Sequence, residues 1–144
     1  MWTRVSILAL AFFLPGGQSS VAGEATGVWL TSQGKAKLRI SRCGRGLCSR
    51  IIWLRQPKAS NGGPIRDERN RNPALRERPV MGLSTFSGLR PSGPGQWSGR
   101  IYNPEDGKLY NANLTIVRPG VIEVQGCRIA GLGCGRRTWV RASN

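Results

Sequence analysis

The sequence predicts an all-β fold: about eight antiparallel strands in an up-and-down barrel, with one short helix in a charged insertion. Three observations lead there. Residues 97–117 read as a hairpin with one apolar and one polar face. The same pairing test works on three further segments. No stretch carries the 3.6-residue apolar period of a long amphipathic helix, and there are no internal repeats.

The first residues stand apart from the fold. Arg4 is the only charge before Glu24, an apolar run spans Val5 to Leu14, and Pro15-Gly16-Gly17 breaks it. Ser20-Val21-Ala22 offers small residues at the −3 and −1 positions of a cleavage site, the layout of a secretory signal peptide. The run is too short to span a bilayer. Residues 1–22 are therefore expected to be a signal peptide and residues 23–144 one domain, periplasmic or secreted, with no transmembrane span after cleavage near Ala22.

Strand by strand, the pairs follow by counting outward from turns. Residues 27–31 and 35–40 flank Gln33-Gly34, and Trp29 then faces Leu38 while Gly27 faces Ile40. The next hairpin turns at Cys43-Gly44-Arg45-Gly46-Leu47-Cys48. Pairing its two cysteines sets Ile40 opposite Ile51 and Leu38 opposite Trp53. Between Gln56 and Pro79 the pattern changes to turn residues and a dense charged run, Arg66 to Arg78. Within it, Asn72-Pro73 reads as an N-cap with proline at the first helical position, and Pro79 limits that helix to about two turns. Val80 to Phe86 is a further strand candidate, and Ser87 to Gly95 reads as a Gly/Pro loop.

Trp97 to Val117 is the most legible stretch. Pro104 and Gly107 bracket a tight turn. With Asn103 opposite Lys108, Ile101 faces Tyr110, Gly99 faces Ala112 and Trp97 faces Leu114 on the apolar side. In the last hairpin, pairing Cys127 with Cys134 sets Ile122 opposite Trp139. Tight turns joining neighbouring strands make a meander, and closing it removes the exposed edges.

The four cysteines are even in number in an exported chain and read as two disulfides. Local pairs, Cys43 with Cys48 and Cys127 with Cys134, are the favoured connectivity of three; cross-pairing between the hairpins stays open. C-x4-C and C-x6-C spacings with no histidine fit a zinc site poorly, so no metal and no cofactor are expected. Lys plus Arg number 22 against 7 acidic residues, a net charge of +15. Such a field attracts polyanions, and export points to an anionic envelope surface rather than to physiological nucleic acid.

The motifs resemble a known family. Gly27-Val28-Trp29, CGRGLC at 43–48 running into IIWL at 51–54, Asp67 with Asn70, and NPALRERP at 72–79 carry the likeness. So do WSGRIYNPEDGKLY at 97–110, Gly126-Cys127 and the closing Thr138-Trp139-Val140-Arg141. Together they resemble the exported bacterial family called domain of unknown function 2147 (DUF2147). The resemblance implies an envelope protein with a lipocalin-like barrel and supplies no catalytic residues. In lipocalins a G-x-W on the first strand lies under an arginine from the closing part of the barrel; Trp29 with Arg141, or with Arg137, matches that arrangement.

Catalysis is not expected. Without histidine the usual proton shuttle at neutral pH is missing. Asp67-Glu68 and Glu105-Asp106 are adjacent pairs whose side chains diverge on an extended chain. The leading expectation is a binder of a small apolar or amphipathic ligand inside the barrel, lined by Trp29, Trp53, Trp97, Ile101, Tyr110 and Trp139, with Gly99 and Ala112 leaving room. Asp67, Asn70, Arg76 and Arg78 would form a polar rim in the insertion over the barrel mouth. The alternative is a structural or interaction module whose basic surface holds an anionic envelope polymer or lipid headgroup.

Overall fold

Eight strands close into a barrel in which each pairs antiparallel with its neighbour in sequence and β8 returns to β1. They are β1 (Gly27–Leu30), β2 (Ala36–Cys43), β3 (Gly46–Leu54), β4 (Ser87–Gly93), β5 (Gln96–Asn103), β6 (Lys108–Arg118), β7 (Val121–Arg128) and β8 (Cys134–Ser143). This computed structural model describes residues 16, 24–128 and 133–143. The expected signal peptide lies outside the described residues, apart from Gly16.

Three of the counted registers hold. Trp29 opposes Leu38, Trp97 opposes Leu114, Ile101 opposes Tyr110, and Ile122 opposes Trp139. At the first turn Gln33 and Gly34 both take positive φ, 66° and 62°. Gly34 N–H donates to the Thr31 carbonyl at 2.9 Å and Thr31 N–H to the Ala36 carbonyl at 3.0 Å, so a four-residue loop, 32–35, closes this hairpin without shifting its register.

The β2–β3 register differs from expectation. Cys43 opposes Gly46, not Cys48, so Ile40 meets Ser49 and Leu38 meets Ile51. The chain turns at Gly44-Arg45, with Gly44 at φ 59°, and this two-residue turn sets the pairing. The disulfide does not need directly opposed cysteines: Cys43–Cys48 bridges diagonally with Cα atoms 5.8 Å apart, while the opposed Cys127–Cys134 pair stands at 4.0 Å. Both disulfides are the local ones, and they fit an oxidising, non-cytoplasmic environment. A bulge then follows between Lys37 and Leu38, and Lys37 faces Trp53. The extra residue reverses the direction of the side chains beyond it. Trp53 consequently lies outside, 38% exposed with Lys37 Nζ 5.2 Å from its ring centre, which corrects its expected inward placement.

Among the described residues the barrel interior holds one apolar cluster. Trp29, Leu38, Ile40, Leu47, Ile51, Leu89, Trp97, Leu114, Ile122 and Trp139 belong to one buried cluster. The layer at Gly99 and Ala112 is not vacant: a Cβ on Gly99 would come within 2.8 Å of Leu89 Cδ2, so the leucine occupies the space the glycine leaves. Likewise a Cβ on Gly126 would sit 3.4 Å from Tyr110 Cβ and against its ring.

The long connection from β3 to β4 caps the barrel end that also carries the β1–β2 and β5–β6 turns and the Arg128 end of β7. Val80 to Phe86 is not a strand. Its apolar residues recur every third position, and Val80, Leu83 and Phe86 plug into the core. Phe86 and Leu83 carbonyls accept from Ser49 and Ile51 N–H, continuing the β3 edge beyond the short β3–β4 ladder. The inward Ser49 hydroxyl meets Thr85 Oγ1 at 2.5 Å, so this buried polar pair is satisfied. The expected loop at Ser87 to Gly95 is largely strand β4. The expected two-turn helix is one 3-10 turn, Pro73–Leu75, capped as predicted by Asn72, whose Oδ1 accepts from Ala74 N–H at 3.1 Å. Arg78 N–H still reaches back to the Leu75 carbonyl at 3.3 Å, and Pro79, which has no N–H, ends the turn.

Candidate functional site

The insertion is held by one buried carboxylate. Asp67 is fully buried and accepts from Tyr102 Oη at 2.5 Å, Asn70 Nδ2 at 2.8 Å and Arg78 Nε at 2.8 Å. Arg78 Nη2 adds a second contact at 2.8 Å, making an ion pair with one end inside and the other 39% exposed. Its guanidinium also lies 5.6 Å from the Tyr102 ring centre. Burial, and after it the hydrogen bond to Asp67, pushes the Tyr102 hydroxyl up to about 12. Asn70 Oδ1 accepts from Asn72 N–H, and Arg76 Nε donates to the Asn70 carbonyl at 2.7 Å.

A second contact fixes the insertion against the β5–β6 turn. Arg69 Nη1 donates to the Glu105 carbonyl at 2.8 Å, and Gly107 packs so closely that a Cβ there would overlap the Arg69 carbonyl oxygen. Gly107 also sits at φ 69°, so both sterics and backbone require glycine. Lys35 and Glu105 join the β1–β2 and β5–β6 turns, but at 56% and 64% side-chain exposure this pair contributes little.

Between the insertion and the β5–β6 hairpin lies an open cleft of about 690 Å³. The insertion side supplies Asn70, Arg71, Asn72, Leu75, Arg78 and Ser84. The opposite wall is Tyr102 and residues 107–110, with Arg128 from the end of β7. Leu75 and Leu109 are 37% and 41% exposed, apolar side chains offered to solvent in a charged setting. Asp106 in the adjoining turn accepts from Lys108 N–H and from Tyr110 Oη; that hydrogen bond, followed by burial, raises the Tyr110 pKa.

The sequence-predicted site residues divide accordingly. Asn70, Arg78 and Tyr110 line the cleft, and Asp67 stands behind it as their anchor. Arg76 ties the insertion to itself and does not line the cleft. Trp29, Trp97 and Trp139 are core, Ile101 packs half-buried against it, and Trp53 is outside. Arg71, Leu75, Lys108, Leu109 and Arg128 were not identified from sequence. Leu109 carried a signal: it is an apolar residue at an outward position of an otherwise polar hairpin face.

At the opposite end, Arg141 Cζ lies 4.4 Å from the Trp29 ring centre. The indole Nε1 donates to the Ala25 carbonyl at 2.9 Å, and Arg141 Nη1 donates to the Thr26 carbonyl at 2.7 Å. Of the two arginines the sequence offered, Arg141 takes this place. Arg137 donates to the Arg136 carbonyl.

A family model described as "Uncharacterized protein conserved in bacteria (DUF2147)" matches residues 27–141. The chain belongs to the DUF2147 family. No curated protein matches it. Among solved structures, protein HP1028 from Helicobacter pylori, described as belonging to the lipocalin family, is similar to this DUF2147 barrel at 24% identity. Its TM-score is 0.67, with 83% of each chain covered. The likeness is one of fold. A redesigned β barrel aligns at 14% identity and TM-score 0.48 over 87% of this chain and 96% of its own. Among the described residues, no helix is long and apolar enough to cross a membrane.

Proposed function

We propose that this DUF2147 protein is an exported, non-catalytic binder of a small apolar or amphipathic ligand, held in the cleft at the capped end of the barrel. The observation that carries this reading is the cleft itself: a concave space of ligand size with Leu75, Leu109, Tyr102 and Tyr110 in its walls. The interior cluster argues for the mouth rather than the centre, since Leu89 and Tyr110 already fill the positions that small residues leave. The carboxylates beside the cleft support binding over turnover, since Asp67 and Asp106 are both engaged in hydrogen bonds that hold the fold. The lipocalin description of the HP1028 fold neighbour agrees with this reading.

The test uses a neutral apolar fluorophore, N-phenyl-1-naphthylamine, titrated into the purified protein. Leu75→Ser combined with Leu109→Ser is expected to weaken binding about tenfold, the scale of two partly buried leucine contacts. Both leucines are exposed, so near-ultraviolet circular dichroism should be unchanged. Equal binding by the double variant and the parent would contradict the reading.

A further inference from the structure

The charges that line the cleft are one-sided, with the Asp106 carboxylate beside it engaged by Lys108 N–H and Tyr110 Oη. Four cations line it, Arg71, Arg78, Lys108 and Arg128, and among the described residues no carboxylate does. Arg78 is neutralised by Asp67. The other three make no ion pair among the described residues. Three like charges gathered along one concave surface repel one another, and walls of leucine and tyrosine concentrate their field.

The hydrogen-bonding inventory is one-sided too. The amide oxygens of Asn70 and Asn72 already accept from Asn72 N–H and Ala74 N–H. Ser84 Oγ donates to the Phe86 carbonyl, and both tyrosine hydroxyls donate to aspartates. What is left for a guest is chiefly donors: two guanidiniums, one ammonium and the Asn72 amide N–H groups. A partner that only accepts, and carries negative charge, fits that inventory.

We propose that the cleft selects a ligand with an anionic head, a carboxylate or phosphate, seated by Arg71, Lys108 and Arg128, with an apolar tail against Leu75 and Leu109. This rests on the reading of the cleft as the binding site. The arginine forks can each pair with two oxygens of such a head, and Lys108 adds a point charge.

Four probes sharing one chain separate head from tail: dodecanoate, dodecyl phosphate, dodecanol and dodecyltrimethylammonium, each titrated calorimetrically, the ionic ones below their micelle concentrations and dodecanol below its solubility limit. The two anions are expected to bind at least tenfold tighter than dodecanol, and the ammonium more weakly than dodecanol. Lys108→Gln and Arg128→Gln should each weaken the anions about tenfold and leave dodecanol within twofold. Raising salt should weaken the anions and spare dodecanol. If dodecanol equals the anions, or the glutamine variants bind dodecanoate like the parent, the head-group inference is overturned and the cleft stands as a plain apolar site. If none of the four binds, both fail. Vesicles of phosphatidylglycerol and of phosphatidylcholine assign the source. Co-sedimentation with the former alone marks a bilayer headgroup. Binding of the free anions without co-sedimentation marks a soluble amphiphile. Either result supports the anion chemistry.

Discussion

Trp29→Ala is expected to remove about 3–5 kcal/mol of stability, the cost of truncating a fully enclosed aromatic. Trp29 is 1% exposed and belongs to the core cluster. Its loss would also leave the Ala25 carbonyl without its indole donor and Arg141 without the ring beneath it. The cation–π contact alone is worth about 0.5–2 kcal/mol, so Arg141→Met should cost less than the tryptophan deletion. The difference measures how far the ring acts by filling the core. Denaturant unfolding with disulfides intact reads both values. A loss below about 1 kcal/mol for Trp29→Ala would mean that this end of the barrel is not packed as described.

Arg78→Met is expected to cost about 3 kcal/mol, because it strands the fully buried Asp67 carboxylate without its cation. Tyr102 and Asn70 still donate to Asp67, which keeps the cost at the lower end for a broken buried pair. Lys35→Met is the control. Its exposed pair with Glu105 should be worth no more than about 1 kcal/mol. The same cluster gives a pH dependence. The Tyr102 hydroxyl is raised from 10.0 to about 12 in the folded protein. A raised folded value means the unfolded chain gives up its proton first. The stabilisation is therefore complete below pH 10 and lost as pH rises through 12. Unfolding midpoints measured across that window should fall with pH, and Tyr102→Phe should flatten the slope, leaving the part owed to Tyr110.

How much of this was legible in the sequence depended on what constrained the counting. In β1–β2 and β5–β6 a turn and an apolar face agreed, in β7–β8 the opposed cysteines Cys127 and Cys134 set the count, and Trp29, Trp97 and Trp139 fell where expected. Between β2 and β3 the cysteines misled, because a disulfide accepts a diagonal pair as readily as an opposed one. The bulge beside Lys37 then turned Trp53 outward, and a single extra residue leaves no mark on composition. Strand β4 was unreadable for another reason. Serine, glycine and proline dominate it, and only Leu89 carries its inward face. The cleft was half legible. Asn70 and Arg78 announced themselves as polar residues in an ordered insertion, while Lys108 and Leu109 at the start of β6 meet Arg128 at the end of β7 only in the fold.

The most direct measurement places a guest on the molecule. Dodecanol bearing a chain-terminal diazirine, irradiated with the protein and mapped by peptide mass spectrometry, reports where the tail lies irrespective of any head group. Adducts on residues 70–75 and 107–110 are the predicted result. Adducts on Ile40, Trp97, Leu114 or Trp139 would show that the ligand enters the barrel centre and would contradict a binding site at the capped end.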